Sequence, residues 1–179
     1  ERVDVMILPF APNLETLPTS GSDDIPVSAE VRRAESRYLA FHLKDTLERT
    51  GNWGIVRVVP SAARHHPLLV SGRILASDGE RLAVSVTATD ASGRVWLTQT
   101  YEDNASKYAY QSIKEDPFQD LYNNIANDLV RQYQARAVSE ISNIEQIAQL
   151  AFAADLAPDA FSGYLIENKD GTTSVAQAP

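Results

Sequence analysis

The 179-residue chain contains no cysteine, which excludes disulfide bonds, cysteine-ligated zinc, thiol catalysis and a lipid-bearing cysteine within these residues. It also lacks any apolar run approaching the length of about 18 residues that a membrane-spanning helix needs. Basic residues are outnumbered, with 16 Lys and Arg against 24 Asp and Glu, and the formal net charge is -8. Because nucleic-acid binding requires a clustered basic surface, we expect no nucleic acid among its partners.

No signal peptide precedes the first apolar stretch, since Glu1-Arg2-Val3-Asp4 leads into it directly. A mature or trimmed form of an exported protein would begin in the same way, so export and a lipid anchor upstream of these residues both stay open. A cysteine-free composition suits the cytoplasm and the bacterial periplasm equally, and it does not choose between them.

The clearest pattern in the chain runs from Leu68 to Asp103. Between Leu82 and Ala88 every second residue is apolar in a run whose period of two is typical of a strand with one buried face. Asp78-Gly79 and Asp90-Ala91-Ser92-Gly93 have the composition of tight turns, in which aspartate caps its own turn and glycine takes a positive φ. We therefore predict an antiparallel meander of three strands, at Leu68–Leu75, Leu82–Thr89 and Val95–Tyr101.

Two apolar runs before the meander, Val3–Phe10 and Trp53–Val59, predict buried strands, and a helix over Val31–Arg49 lies between them. Ser28 is a suitable N-cap for that helix, and Gly51 is a suitable stop. The helix residues expected to face the sheet are Val31, Ala34, Tyr38, Leu39, Leu43 and Leu47.

A second helix is predicted over Phe118–Tyr133, after the meander. Its apolar residues recur at helical spacing, at Phe118, Leu121, Tyr122, Ile125 and Leu129. Since each helix offers a single apolar stripe, both should pack together on one face of the sheet. The predicted fold class is α/β (α+β), a mixed five-stranded sheet that ends in an antiparallel meander, with two helices on one face and an extra C-terminal helix.

The extra helix, over Val138–Leu156, turns its apolar stripe in a new direction. At 100° per residue this stripe is rotated by about a quarter turn from the preceding one, which predicts a break between residues 132 and 139. We divide the chain into an α/β domain, residues 1–135, and a C-terminal helical extension and tail, residues 136–179, with a small hairpin between Tyr164 and Val175. The stripe either folds back through a bend near Ala135 or contacts a second protein, in self-association or with another envelope protein. Its members, which are the candidate partner-contact residues, are Ile141, Ile144, Ala148 and Phe152.

Catalytic candidates are weak throughout the chain. His65 and His66 are adjacent, so on extended backbone their side chains point in opposite directions and are poorly placed to share a metal. His42 has no histidine or carboxylate four residues further along its helix. Neither a G-x-S-x-G elbow nor a phosphate-binding glycine loop is present. We therefore predict no catalytic, cofactor-binding or metal-binding residues.

Two other functions stay open as alternatives. A hydrolase would need His65 or His66 to meet Asp78 or Asp103, and a small-ligand sensor would use the loop ends around Phe10 and Pro60. The long polar loop Ala11–Ser28 is a further candidate contact for a partner.

Several short segments of the sequence resemble those of one known family. They are Val5-Met6-Ile7-Leu8-Pro9-Phe10, Leu39-Ala40-Phe41-His42-Leu43, Thr50-Gly51, Leu69-Val70-Ser71-Gly72-Arg73-Ile74 and Thr89-Asp90-Ala91-Ser92-Gly93-Arg94-Val95-Trp96. The stretch from Val3 to Leu129 resembles the amino-terminal domain of TolB and the related domains of curli-export and penicillin-binding-protein-activator lipoproteins of Gram-negative envelopes. The resemblance implies a non-enzymatic α/β domain without cofactors, which binds other envelope proteins.

This chain departs from that family in three respects: it has no lipidation cysteine, no propeller domain, and it has the extra helix Val138–Leu156. These departures leave the membrane anchor and the partner open. From the resemblance we expect a protein–protein interaction module of a bacterial cell-envelope accessory protein in the periplasm, with anchoring to the outer membrane as a lipoprotein left open.

Overall fold

The computed structural model describes residues 2–17, 28–105 and 116–176. Its strands are β1 (Val5–Ile7), β2 (Val56–Val58), β3 (Leu68–Ser77), β4 (Arg81–Asp90), β5 (Val95–Asn104), β6 (Leu165–Glu167) and β7 (Thr173–Val175). Its α-helices are α1 (Ala29–Thr50), α2 (Gln119–Gln134), α3 (Val138–Leu156) and the single turn α4 (Pro158–Phe161). Within the described residues the fold is a mixed five-stranded sheet with a small second sheet and helices, which confirms the predicted fold class.

The main sheet has the strand order β2-β1-β3-β4-β5. β1 is parallel to both β2 and β3, whereas β3, β4 and β5 form the predicted antiparallel meander. β1 and β2 are only three residues long, so the runs Val3–Phe10 and Trp53–Val59 overstate the paired regions. One reason is that the backbone N–H of Phe10 leaves the sheet and donates to the carbonyl of Ser36 on α1, at 3.0 Å.

α1 and α2 pack against each other over the same face of the sheet. The His42 ring of α1 lies 4.4 Å from the Tyr122 ring of α2, centroid to centroid. The hydroxyl of Tyr101 on β5 donates to Asp128 of α2 at 2.8 Å, which fixes the helix over the meander. Leu121, Tyr122, Ile125 and Leu129 are at most 1% exposed, as the apolar stripe of this helix predicted.

The N-terminal half of α1 corrects one prediction. Val31, Ala34 and Tyr38 lie on the exposed side, whereas Arg32 and Ser36 are buried. Both buried residues reach backbone carbonyls: Ser36 Oγ donates to Phe10, and Arg32 Nη2 donates to Ser77 at 3.2 Å. A pattern search that scores only apolar residues misses this arrangement, because the helix faces the sheet here with two polar side chains that bond to backbone carbonyls.

Gly72 in the centre of β3 lies under an aromatic ring. A Cβ atom at this position would come within 2.5 Å of the Phe10 ring. Gly72 pairs with Val86, and both residues face the side of the sheet that the helices cover. Glycine is therefore required here by close packing against the side chain of Phe10, which follows β1.

The chain bends at Ala135, where α2 ends, and α3 starts three residues later. Ile141 and Ile144 are 4% exposed and belong to the main core, so the first half of α3 folds back on its own domain. The β6–β7 hairpin is tied to the β4–β5 turn, since the backbone N–H of Thr173 donates to the carbonyl of Ser92 at 2.7 Å.

Candidate functional site

A groove lies between the second half of α3 and the sheet face that α1 and α2 leave open. We call it the α3 groove, and its volume is about 560 Å³. Met6 of β1 and Arg57 of β2 are register partners, so both side chains lie on this open face. The residues that line it are Asp4, Met6, Arg57, Val59, His65, His66, Pro67, Glu145, Ala148, Gln149 and Phe152.

The connection from β2 to β3 supplies one side of the α3 groove. β1, β2 and β3 are parallel, so this connection must return from the carboxyl end of β2 to the amino end of β3. It contains no helix, and it brings His65, His66 and Pro67 alongside β1. The opposite side is α3, on which Glu145, Ala148 and Phe152 recur at helical spacing.

Phe152 forms the rim of the α3 groove. Its side chain is 50% exposed, and its ring lies 5.4 Å from the His65 ring in an edge-to-face arrangement. Leu156, one turn further along α3, is 71% exposed. The adjoining lining residues Met6, Val59 and Pro67 are only partly buried. An aromatic ring held on one edge by an imidazole thus borders an apolar surface that the chain itself leaves partly open.

The two histidines differ in their surroundings. His65 Nδ1 lies 3.2 Å from Asp155 Oδ2, near the C-terminal end of α3. His66 packs edge-on against His65, with 4.8 Å between ring centroids. Burial, and secondarily the neighbouring His65, lower the pKa of His66 below its usual value. At neutral pH His66 is therefore an uncharged part of the groove.

The fixed charges of the α3 groove are mostly acidic. Asp4 Oδ1 accepts a hydrogen bond from the backbone N–H of Ile55 at 2.7 Å, so its carboxylate is held in place. Glu145 lies on the α3 side, and Asp155 stands next to His65 at the end of the helix. Arg57 is the basic residue among the lining residues.

The four candidate partner-contact residues do not share one environment. Ile141, Ile144 and Ala148 are each 4% exposed, because they pack within the chain. Phe152 is the member of the set that remains available to a second molecule. The stripe was expected either to fold back on the chain or to contact a second protein. In the structure its first three residues fold back and pack within the chain. Partner contact through this helix stays a prediction that now depends on Phe152.

The pairs considered for a hydrolase are not brought together. Asp78 follows β3 and Asp103 ends β5, whereas His65 and His66 precede β3, a strand of ten residues. A ten-residue strand is roughly 33 Å long, so these groups lie at opposite ends of the sheet. His65 instead meets Asp155, a residue 90 positions away in the sequence. No sequence motif marks this contact, because it arises only when α3 folds back.

The sensor alternative stays a prediction. Phe10 is 1% exposed and is a core residue, while Pro60 is exposed. Most of the loop Ala11–Ser28 lies outside the described residues. Its described start is ordered against β3, where Ala11 pairs with Arg73.

A second depression, of about 310 Å³, lies between the start of α3, the β4–β5 turn and the β6–β7 hairpin. Its charged groups are matched within the chain. Asp90 accepts from Ser92 and from the indole Nε1 of Trp96 at 2.8 Å, and Arg94 lies 3.3 Å from Glu140. Arg136 stacks over Trp96 at 4.1 Å. This internal pairing makes the depression a polar contact between α3, the β4–β5 turn and the β6–β7 hairpin.

No group of three or more histidine, cysteine, aspartate or glutamate residues suited to a metal ion occurs in the described part of the chain. In the same residues, no helix is long and apolar enough to cross a membrane.

Comparisons with known proteins give fold likeness at low similarity. The chain matches no model of a known protein family and no curated protein sequence. Among solved structures, a dodecamer of a PelC point variant from Paraburkholderia phytofirmans aligns with a TM-score of 0.43 and 18% identity, over 74% of this chain and 89% of that chain. The hypothetical protein CT253 of Chlamydia trachomatis aligns with a TM-score of 0.44 and 12% identity, over 75% of this chain and 100% of that chain.

Protein XCC0632 of Xanthomonas campestris aligns with a TM-score of 0.45 and 9% identity, over 89% of both chains. Likenesses at this level assign neither a family nor a function. The resemblance to the TolB amino-terminal domain therefore stays an expectation, and the proposals below depend on the residues of this chain.

Proposed function

We propose that this chain is a non-enzymatic protein–protein interaction module of the bacterial cell envelope, and that the α3 groove takes up a short segment of a partner protein. The observation that carries this proposal is Phe152, an aromatic side chain half exposed at the rim of a groove of about 560 Å³. Aromatic residues beside a partly apolar pocket are the side chains that most often dominate the binding energy of protein interfaces.

The lining of the α3 groove defines the chemistry of the occupant. Met6, Val59 and Pro67 offer apolar surface, which favours an apolar side chain inserted beside Phe152. Asp4 and Glu145 of the lining, with Asp155 beside His65, outnumber Arg57, and the chain as a whole carries a formal charge of -8. Charge complementarity therefore favours a segment in which the apolar side chain is flanked by lysine or arginine.

The groove lining also supports a role in binding rather than in turnover. His65 has an acidic partner in Asp155, but the residues that line the groove include no serine, threonine, tyrosine or cysteine that a histidine could activate. The placement in the periplasm draws its support from the short sequence segments that resemble those of envelope domains.

The test is site-specific cross-linking followed by direct binding. A photoreactive phenylalanine analogue at position 152 should capture a protein in the cell that makes this chain, and the same analogue at Val138, which is 75% exposed at the other end of α3, should not. The captured protein, once purified, should then bind the unmodified chain in solution.

Substitutions in the same binding assay decide the outcome. Phe152→Asp should raise the Kd by about tenfold or more, whereas Val138→Asp should change it less than about twofold. Equal binding of the purified partner to both variants would contradict the proposal.

A further inference from the structure

β5 forms one edge of the main sheet, because no described residue pairs with its outer side. This edge is ten residues long, about twice the usual length of a strand. Thr98, Gln99 and Thr100 in its centre are exposed. An exposed edge of this length is a template for pairing with another strand unless it is blocked.

The direction of the free backbone groups follows from the ladder. Glu80 and Ala105 flank the β4–β5 register, and the N–H of Ala105 donates to the carbonyl of Glu80 at 2.8 Å. Hydrogen-bonded and non-hydrogen-bonded pairs alternate along an antiparallel ladder, so the odd-numbered residues of β5 from Leu97 onward direct their N–H and C=O groups toward β4. The groups of Thr98, Thr100 and Glu102 therefore point outward.

The usual devices that protect an edge are missing from the centre of β5. The strand contains no proline and no lysine, and its irregularity lies near its start, at Trp96. Glu102 is an exposed charge, but it forms an ion pair with Arg81 at 2.6 Å on the neighbouring strand. The stretch Thr98-Gln99-Thr100 thus offers uncharged residues of good strand propensity to an incoming strand.

We propose that β5 pairs antiparallel with β5 of a second copy of this chain, about a two-fold axis at Gln99. In this register the outward-facing Thr98 lies opposite Thr100 of the other copy, a favourable cross-strand pair. Arg94, just before the strand, comes close to the acidic end formed by Glu102 and Asp103 of the other copy. The opposite charges at the two ends of one strand favour this antiparallel self-pairing over a parallel one.

The result would be one continuous sheet of ten strands with α1 and α2 of both copies on the same side. This surface is separate from the α3 groove, which lies by β1 and β2 at the other edge of the sheet. The two proposals therefore use different surfaces, and a test of one does not test the other.

The test uses the full chain and charge placed at the paired positions. Light scattering of the unmodified protein, from about 1 µM to about 500 µM, should show a concentration-dependent rise from the mass of one chain to that of two. The double variant Thr98→Lys with Thr100→Lys brings like charges face to face in the dimer, and it should weaken dimerisation by about tenfold or more. In a folded monomer both lysines are solvated, so circular dichroism should be unchanged.

The matched control is the double variant Thr98→Lys with Thr100→Glu, which places opposite charges at each pair and should restore the dimer. A chain that remains monomeric throughout this concentration range would overturn the proposal. So would a dimer that both double variants affect equally, since it would use another surface or register.

Discussion

The five-stranded sheet and the segment that follows α3 are held in place by different forces. Val5, Leu68 and Val86 of the sheet are fully buried. By contrast, no described residue from Pro158 to Ala176 is buried, and the β6–β7 hairpin is held by polar contacts such as the Thr173–Ser92 hydrogen bond. Local stability follows apolar burial, so we expect the sheet to open only on global unfolding and the segment from Pro158 to Ala176 to open more easily.

α3 combines both environments, the buried one of the sheet and the exposed one of the segment after it. Ile144 in its first half belongs to the core, whereas Phe152 in its second half is half exposed. Leu150 and Ala151 of the second half are also buried, so the exposed part of the helix consists of its rim and its C-terminal end. The groove thus lies where a buried sheet meets the partly exposed face of this helix.

The largest expected effect separates the two halves of α3. Ile144→Asp buries a charge in the core and should lower the free energy of unfolding by about 3 kcal/mol or more, whereas Phe152→Asp should cost no more than about 1 kcal/mol. Urea unfolding monitored by circular dichroism measures both. An equal loss of unfolding free energy from the two substitutions would show that both halves of the helix are buried to the same degree.

Two aspartate turns of similar sequence offer the next comparison. Asp90 is buried and bonds Trp96 and Ser92, while Asp78 is exposed and accepts from the backbone N–H groups of Glu80 and Arg81. Asp90→Ala leaves a buried indole N–H without a partner and should cost about 3 kcal/mol, against no more than about 1 kcal/mol for Asp78→Ala. Thermal unfolding of the two variants decides between them, and similar losses would contradict the difference in burial.

Close packing at Gly72 predicts an intermediate effect. Gly72→Val drives a side chain into the Phe10 ring and should cost about 2 kcal/mol, although valine favours strands. Gly163→Ala is the control, because no atom lies within 4 Å of its Cβ position, and it should change stability by less than about 0.5 kcal/mol. If Gly72→Ala were tolerated equally well with Phe10 and with Phe10→Leu, the ring would not be the cause of the strain.

The smallest expected effect concerns pH at the groove. The pKa of His66 is lower in the folded chain than in the unfolded chain, so the unfolded state binds more protons between those two values. This contribution to stability is present above the unfolded pKa of about 6.5 and is lost as the pH falls toward the folded value. Comparing melting temperatures at pH 7.5 and pH 5.5 should show a smaller drop for His66→Gln than for the unmodified chain. A drop of the same size in both would exclude His66 as a source.

The features of the fold that could be predicted from the sequence are those that depend on residues close together in the chain. The bounds Val138–Leu156 of α3, the turn at Asp90 and the antiparallel meander depend on neighbouring residues, and the structure confirms them. The inward face of α1 was wrong at Val31, Ala34 and Tyr38, because Arg32 and Ser36 take that side through hydrogen bonds to distant carbonyls.

The candidate site was the least predictable part. His65, Met6 and Phe152 come from three separated segments, and no spacing rule links them. The sequence singled out the histidine pair and the α3 stripe, but the contact between them depends on the bend at Ala135.

Native-state hydrogen exchange tests the division of the chain most directly. We predict that the central amides of β3 and β4 exchange only at the rate of global unfolding, and that the amides of β6 and β7 exchange much faster under the same conditions. The amides of α3 should divide near Ala151, the last buried residue of the helix, with slow exchange before it and faster exchange toward Leu156. Equal protection in the β6–β7 hairpin and in the main sheet would contradict the account.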